Sequence, residues 1–275
     1  MIVVSSAEEA RAALRELRRP LGLVPTMGSL HEGHLELVRS MRQSCASVAA
    51  SVFVNPLQFG AGEDFERYPR DLEADAARLE AEGVDVLFAP SAQEIYPPGF
   101  STAVDPGPIA AVYEGGVRPS HFRGVATVVA KLLNVVQPNK LCLGQKDAQQ
   151  TAVLRSLVRD LVFPVQVTIV PTVREADGLA LSSRNLYLSA AERTAAPSLH
   201  AALVAMLQAL RDGETVQASR DVALRVLDPS ARLDYLDLVN ADTFEPIAAV
   251  EPPAFAIGAA RFGATRLIDN LWITA

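Results

Sequence analysis

Apolar and polar positions alternate along this chain in two rhythms, one short and one helical. LGLVPT (21–26) is a compact apolar run and reads as a strand ending in Pro25. From His34 onward, Leu35, Leu37, Val38 and Met41 recur at approximately helical spacing, so HLELVRSMRQS predicts a helix. The Val- and Ala-rich run 46–55 is a second buried strand. DLEADAARLEAEG (71–83) sets Leu72, Ala76 and Leu79 on one helical face and closes on Gly83, in the usual C-terminal stop position. VDVLFAP (84–90) is a third strand. Strand, helix, strand, helix, strand is the order of a parallel sheet covered by helices.

The rhythm resumes after an irregular, Pro- and Gly-rich stretch, 97–120. It keeps Phe100, Ile109, Val112 and Tyr113, and so reads as an active-site flank or an oligomer contact rather than a linker. Beyond it the pattern predicts an apolar helix over 124–138 ended by Pro138, a strand over 140–144, a helix over 147–161 and a strand over 164–173. Composition then changes. The remainder holds the loop READGLALSSRNLYLS, two helical segments and the strand-like runs LDYLDLVN, AFAIGAARF and TRLIDNLWI. The expected class is α/β, with a Rossmann-like parallel sheet and flanking helices over 1–173. A smaller C-terminal α+β domain follows over 174–275.

Composition narrows the partners. A net charge of −7 argues against nucleic acid, whose backbone is held by clustered Lys and Arg. The N-terminal stretch has no basic start leading into an apolar core, and no run approaches the roughly 18 apolar residues that span a bilayer. A protein away from the membrane is expected. Cys45 and Cys142 both lie in apolar surroundings and read as reduced structural residues, which suits the cytoplasm.

The chemistry concentrates in PTMGSLHEGH (25–34). It places two of the four histidines three residues apart at a strand-to-helix junction. In open parallel sheets, ligands sit at the carboxyl ends of strands, beside helix N-termini. Gly28 and Gly33 leave room for close backbone approaches. His31 and His34 project from one side of a first helical turn, an arrangement that suits a phosphate. Taken singly, each is an ordinary cap or surface histidine. A zinc pair is the other alternative, but His121 and His200 bring no spacing of further ligands, so no protein metal site is expected. In DLEAD, the position of Asp75 suggests an outer contact at the site, with an exposed helix carboxylate as the favoured reading.

PTMGSLHEGH resembles the HxGH signature of the nucleotidylyltransferase and class I aminoacyl-tRNA synthetase superfamily and, more narrowly, the first motif of the pantoate-beta-alanine ligase (pantothenate synthetase) family. Four further segments match that family in order: FVNPLQF (53–59), RPSHFRGVATVVAKLLNVVQP (118–138), LGQKDAQQ (143–150) and VREADGLALSSRN (173–185). The likeness covers essentially the whole chain. It implies condensation of (R)-pantoate with β-alanine, driven by ATP through an enzyme-bound pantoyl adenylate, with AMP and pyrophosphate released. Magnesium is expected to arrive on the ATP phosphates. The family is typically homodimeric.

Site residues follow from the same likeness. His34, His31 and Lys146 are the expected catalytic groups, with His34 as proton donor. Met27, Gly28, Gly33, Gly144, Gln145, Asp147, Val173, Leu181, Ser182, Ser183 and Arg184 are expected with them around ATP. Asp147 is expected on the ribose, and LSSRN is the counterpart of the superfamily's KMSKS loop, with READG as a mobile lead-in. Gln58 and Gln150 match the pantoate positions, and a neutral amide suits a substrate whose carboxylate must stay nucleophilic. Glu114, Arg118 and His121 match positions near the site. A related nucleotidylyltransferase and a non-catalytic nucleotide binder are the rival readings; the two glutamines speak against the first, and the presence of both His34 and Lys146 against the second.

Overall fold

The parallel sheet that the alternating rhythm predicts has six strands, one more than the five read from the pattern, in a computed structural model that describes residues 1–60, 62, 63 and 65–274. The chain divides into two compact units, Met1–Gly144 with Val153–Val170, and Gln145–Ala152 with Pro171–Ala275. In chain order the elements are β1 (Ile2–Val4), α1 (Ala7–Arg15), β2 (Leu21–Thr26), α2 (Glu32–Ser44), β3 (Ser47–Val52), α3 (Leu72–Ala81), β4 (Val86–Phe88), α4 (Ala92–Ile95), α5 (Glu114–Val117), α6 (His121–Val136), β5 (Lys140–Gly144), α7 (Ala148–Asp160) and β6 (Gln166–Val170). The sheet order is β1-β4-β3-β2-β5-β6.

β1 and α1 precede the first element read from the pattern. β1 is a three-residue edge strand with Ile2 and Val3 exposed, so it carries almost no periodic signal. α1 begins at a capping box in which Ser6 and Glu9 satisfy each other's backbone N–H. The central strands are mostly apolar and almost wholly buried, because helices cover both faces of a parallel sheet. Leu37, Val38 and Met41 of α2 join Leu79 of α3 in one buried cluster, while Phe122, Val125 and Leu132 of α6 pack in another with Leu23 and Leu141. Cys142 is fully buried, and burial pushes its thiol up to about 12, with Cys45 adding to the rise. Such a thiol is inert.

Element ends moved for local reasons. α6 starts at His121 and stops at Val136, with Gln137 left-handed, since the residue before Pro138 avoids helical backbone. β3 ends at Val52, which frees 53–58 to leave the sheet as a loop and a short 3-10 turn.

In the second unit, α8 (Ala190–Ala195), α9 (Ser198–Arg211) and α10 (Val216–Val226) precede an antiparallel sheet of β7 (Arg232–Asn240), β8 (Ala254–Phe262) and β9 (Thr265–Ile273), ordered β7-β8-β9. Leu203 and Met206 of α9 pack on Ala254 and Ala256 of β8. Residues 145–152, ahead of the boundary expected at 173, belong to this unit. Among the described residues, no helix is long and apolar enough to cross a membrane.

Candidate active site

The turn between β2 and α2 is fixed from behind by one carboxylate. Asp75, 3% exposed on α3, accepts the N–H of Ser29 at Oδ2 and of Leu30 at Oδ1, both at 2.8 Å. It is therefore a buried anchor, not the exposed helix carboxylate that the acidic run suggests. Arg78, one turn along α3, donates to the Leu30 carbonyl. Gly28 has φ +83, and a Cβ there would meet Asp75 Oδ2 at 2.8 Å, so both its backbone and its missing side chain are required.

His31 is the N-cap of α2, and its N–H donates to His34 Nδ1 at 3.2 Å. The two rings lie 4.0 Å apart, as the three-residue spacing anticipated. An Nδ1 that accepts from the His31 N–H places the proton of a neutral His34 ring on Nε2. Gly28 N–H meanwhile donates to Thr26 Oγ1 at 3.2 Å. The amides of Gly28, Ser29, Leu30 and His31 thus all have acceptors within the protein. What this turn can extend to an anion is its imidazoles, rather than those four backbone donors.

The loop after β3 is held just as tightly. Asn55 is completely buried; its Nδ2 donates to Gln58 Oε1 at 2.9 Å and to the Gly124 carbonyl at 3.1 Å, while its Oδ1 accepts from Tyr96 Oη at 2.8 Å. Gly124 is needed for this approach, because a Cβ would stand 2.3 Å from the Leu57 carbonyl oxygen. With Oε1 taken by Asn55, the amide nitrogen is the branch of Gln58 left to meet a ligand. Gln58 is itself buried, unlike the solvated glutamine usual near a strand end. Arg118 forks onto Glu63 at 2.8 and 2.6 Å and also reaches the Gln58 carbonyl at 3.1 Å. His121 Nδ1 donates to the same carbonyl at 2.9 Å. Burial pushes the Glu63 carboxyl up, but the Arg118 guanidinium outweighs it and holds the group below its ordinary range. Glu114 is buried at the start of α5.

In the second unit, Gln145, Lys146 and Asp147 form a 3-10 turn leading into α7. Lys146 Nζ is 4.0 Å from Asp147 Oδ1. Gln149 is buried and Gln150 half-buried, pointing different ways as helical spacing requires. The READG segment is a fastened turn: Glu175 and Asp177 both bind Arg193, at 2.7 and 2.6 Å, and Arg174 forks onto Asp269 at 2.7 and 2.8 Å. The Leu181 N–H closes the hairpin on the Val173 carbonyl at 3.0 Å. Ser182 Oγ accepts from the Arg184 N–H at 3.2 Å, so this serine caps the short helix Ser183–Tyr187. Val173, Leu181, Ser183 and Arg184 are half-buried around it. Asn55, Tyr96, Asp269 and Asn270 had no sequence assignment; the Asn-Pro pair at 55–56 was the one visible turn signal.

A six-stranded parallel sheet bearing an HxGH turn on a strand's carboxyl end defines an α/β protein of the HxGH kind. The Pantoate-beta-alanine ligase family model matches residues 2–272. A pantothenate synthetase of Thermus thermophilus is 54% identical over 98% of this chain and 99% of its own, and that of Roseiflexus castenholzii 50% identical over 100% of each. A crystal structure of the Thermus thermophilus pantothenate synthetase superposes with a TM-score of 0.95 at 52% identity, covering 100% of both chains. That of the Francisella tularensis pantoate-beta-alanine ligase, complexed with beta-gamma ATP and beta-alanine, does so at 0.81 and 33%, over 99% of this chain and 97% of its own. The chain belongs to the pantoate-beta-alanine ligase family.

Proposed function

We propose that the chain condenses (R)-pantoate with β-alanine in two steps: ATP first converts the pantoate carboxylate to a bound pantoyl adenylate with loss of pyrophosphate, and the β-alanine amine then displaces AMP. The observation that carries this reading is the His31–His34 turn. The amides of Ser29, Leu30 and His31 are occupied there, which supports an imidazole, rather than those amides, as the group that meets growing phosphate charge. The Francisella tularensis relative's complex with beta-gamma ATP and beta-alanine supports the same two substrates here.

In this reading Met27, Gly28, Gly33, Gly144, Gln145 and Val173 line the nucleotide, and Asp147 takes the ribose. Lys146 supplies a point charge to the phosphates, and Ser182, Ser183 and Arg184 serve the triphosphate with Leu181 behind them. Gln58 and Gln150 hold pantoate; the orientation of Gln58 suits a hydroxyl or carboxylate oxygen. Among the described residues no group of three His, Cys, Asp or Glu is arranged to hold a metal ion, and both Asp75 oxygens are spent on amides. Magnesium would arrive carried by ATP oxygens and waters. The working form is a cytoplasmic homodimer.

Pyrophosphate release from MgATP, first with pantoate alone and then with β-alanine, tests the reading. A stoichiometric burst that becomes steady turnover to pantothenate supports it. Absence of pantoate-dependent release from protein that binds ATP would move the function to nucleotide binding or to another acceptor.

A further inference from the structure

Two adjacent polar residues of β9 hold both segments that the proposed function sends to the phosphates. Asp269 and Asn270 are 5% and 2% exposed, in a strand whose neighbours are apolar. Asn270 Nδ2 donates to the Gln145 and Lys146 carbonyls, each at 2.9 Å, and its Oδ1 accepts from Gln145 Nε2 at 3.1 Å. Two of these bonds hold consecutive backbone carbonyls, including that of the residue from which the Lys146 side chain departs, and the third holds the Gln145 side chain. Asp269 acts through Arg174, whose guanidinium also donates to the Gly178 carbonyl at 3.0 Å and the Asn270 carbonyl at 3.2 Å. Arg174 opens the hairpin that bridges to Ala180 and runs directly into Ser182–Arg184.

We propose that Asp269 and Asn270 are positioning residues for ATP, setting Lys146 and Arg184 in mutual register from one rigid strand. The inference rests on the reading of those two cations as phosphate ligands. Chemistry restricts position 270: an aspartate of the same size would keep the acceptor for Gln145 but turn an anion toward two carbonyl oxygens. Position 269 needs an anion to match the Arg174 fork.

The test is Asn270→Asp, in wild-type and Lys146→Ala backgrounds, with adenylation measured as single-turnover pyrophosphate release on the folded fraction. The expected loss in the wild-type background is roughly 10- to 100-fold, the scale of a misplacement of about 1 Å at a reacting centre. KM for pantoate should stay within about twofold. Because Asn270 acts through Lys146, the same change in the Lys146→Ala background should cost little more, whereas a merely structural role gives additive losses. Folded Asn270→Asp running at the wild-type rate, or additive losses, overturns the proposal. If Asn270→Asp does not fold, Arg174→Lys, which keeps the charge but loses the fork, carries the same test against Arg184→Ala. Wild-type protein without pantoate-dependent release would instead remove the functional reading itself, a separate result.

Discussion

The HxGH turn of the first unit and the READG hairpin of the second each depend on one buried carboxylate, yet the two carboxylates work differently. Asp75 takes two backbone N–H groups directly, so it fixes main-chain atoms of Ser29 and Leu30 with no side chain between. Asp269 takes a guanidinium, and Arg174 passes the constraint on to two carbonyls. A carboxylate on amides can be replaced by nothing that lacks two acceptors. A carboxylate on Arg is an ion pair, whose strength follows the charge of both partners. On the proposed function, the first arrangement suits a turn that keeps two histidines at a fixed separation, and the second a hairpin that carries a cation toward ATP.

The largest expected effect lies where the first turn ends. His34→Ala removes the donor that the His31 N–H orients, and adenylation should fall by roughly 10²–10³-fold, as for loss of one charge-stabilising donor. Single-turnover pyrophosphate release measures it. A near wild-type rate would mean that the Asp75-held turn serves structure alone. Next comes Asp75→Ala, which strands one buried and one part-buried N–H group at a cost of about 2–4 kcal/mol. The urea midpoint should drop accordingly, with hydrogen exchange at Ser29 and Leu30 accelerated before the rest of the sheet. Asp75→Asn, keeping one acceptor, should lose less; equal losses would show that charge, rather than the paired acceptors, is what the turn needs.

The difference between the two regions also decides what was legible in the sequence. Alternation read the parallel sheet from β2 onward, because buried strands and one-faced helices impose period directly on the chain. It missed β1, whose three residues are too few for a period, although Ser6 and Glu9 gave α1 a readable capping box. The histidine pair stood out because the residues are rare and close. Asp75 did not, since its partners are 45 and 46 residues away and an acidic helix supplies several equivalent carboxylates. Asp269 and Asn270 were hidden for the same reason: polar residues in an antiparallel strand ordinarily face water, and their partners lie far back in the chain. A single boundary at 173 likewise could not assign 145–152 to the later unit, because grouping depends on contacts that sequence order does not carry.

A smaller effect is expected at Gln58, the amide that Asn55 orients. Gln58→Glu keeps an acceptor for Asn55 but replaces the outward N–H with a negative oxygen. KM for pantoate should rise roughly tenfold, the equivalent of one hydrogen bond of about 1.4 kcal/mol, with KM for ATP little changed. Equal rises in both would point to a disturbed loop instead of a lost contact.

The smallest effect is the pH dependence of the Asp269 anchor. Burial pushes the Asp269 carboxyl up, but hydrogen bonds from His200 and Arg174 outweigh burial and hold it below its ordinary value of 3.8. A carboxyl depressed by folding contributes stability that is complete above its unfolded pKa and is lost as pH falls through the folded value. The advantage of the wild-type chain over Asp269→Asn should therefore be full at about pH 7, begin to shrink below about pH 4, and narrow further toward about pH 2. Urea midpoints of the two chains across that range measure it. A constant gap would show that the Asp269 anion is not what grips Arg174, and that packing of the Arg174 stem holds the hairpin.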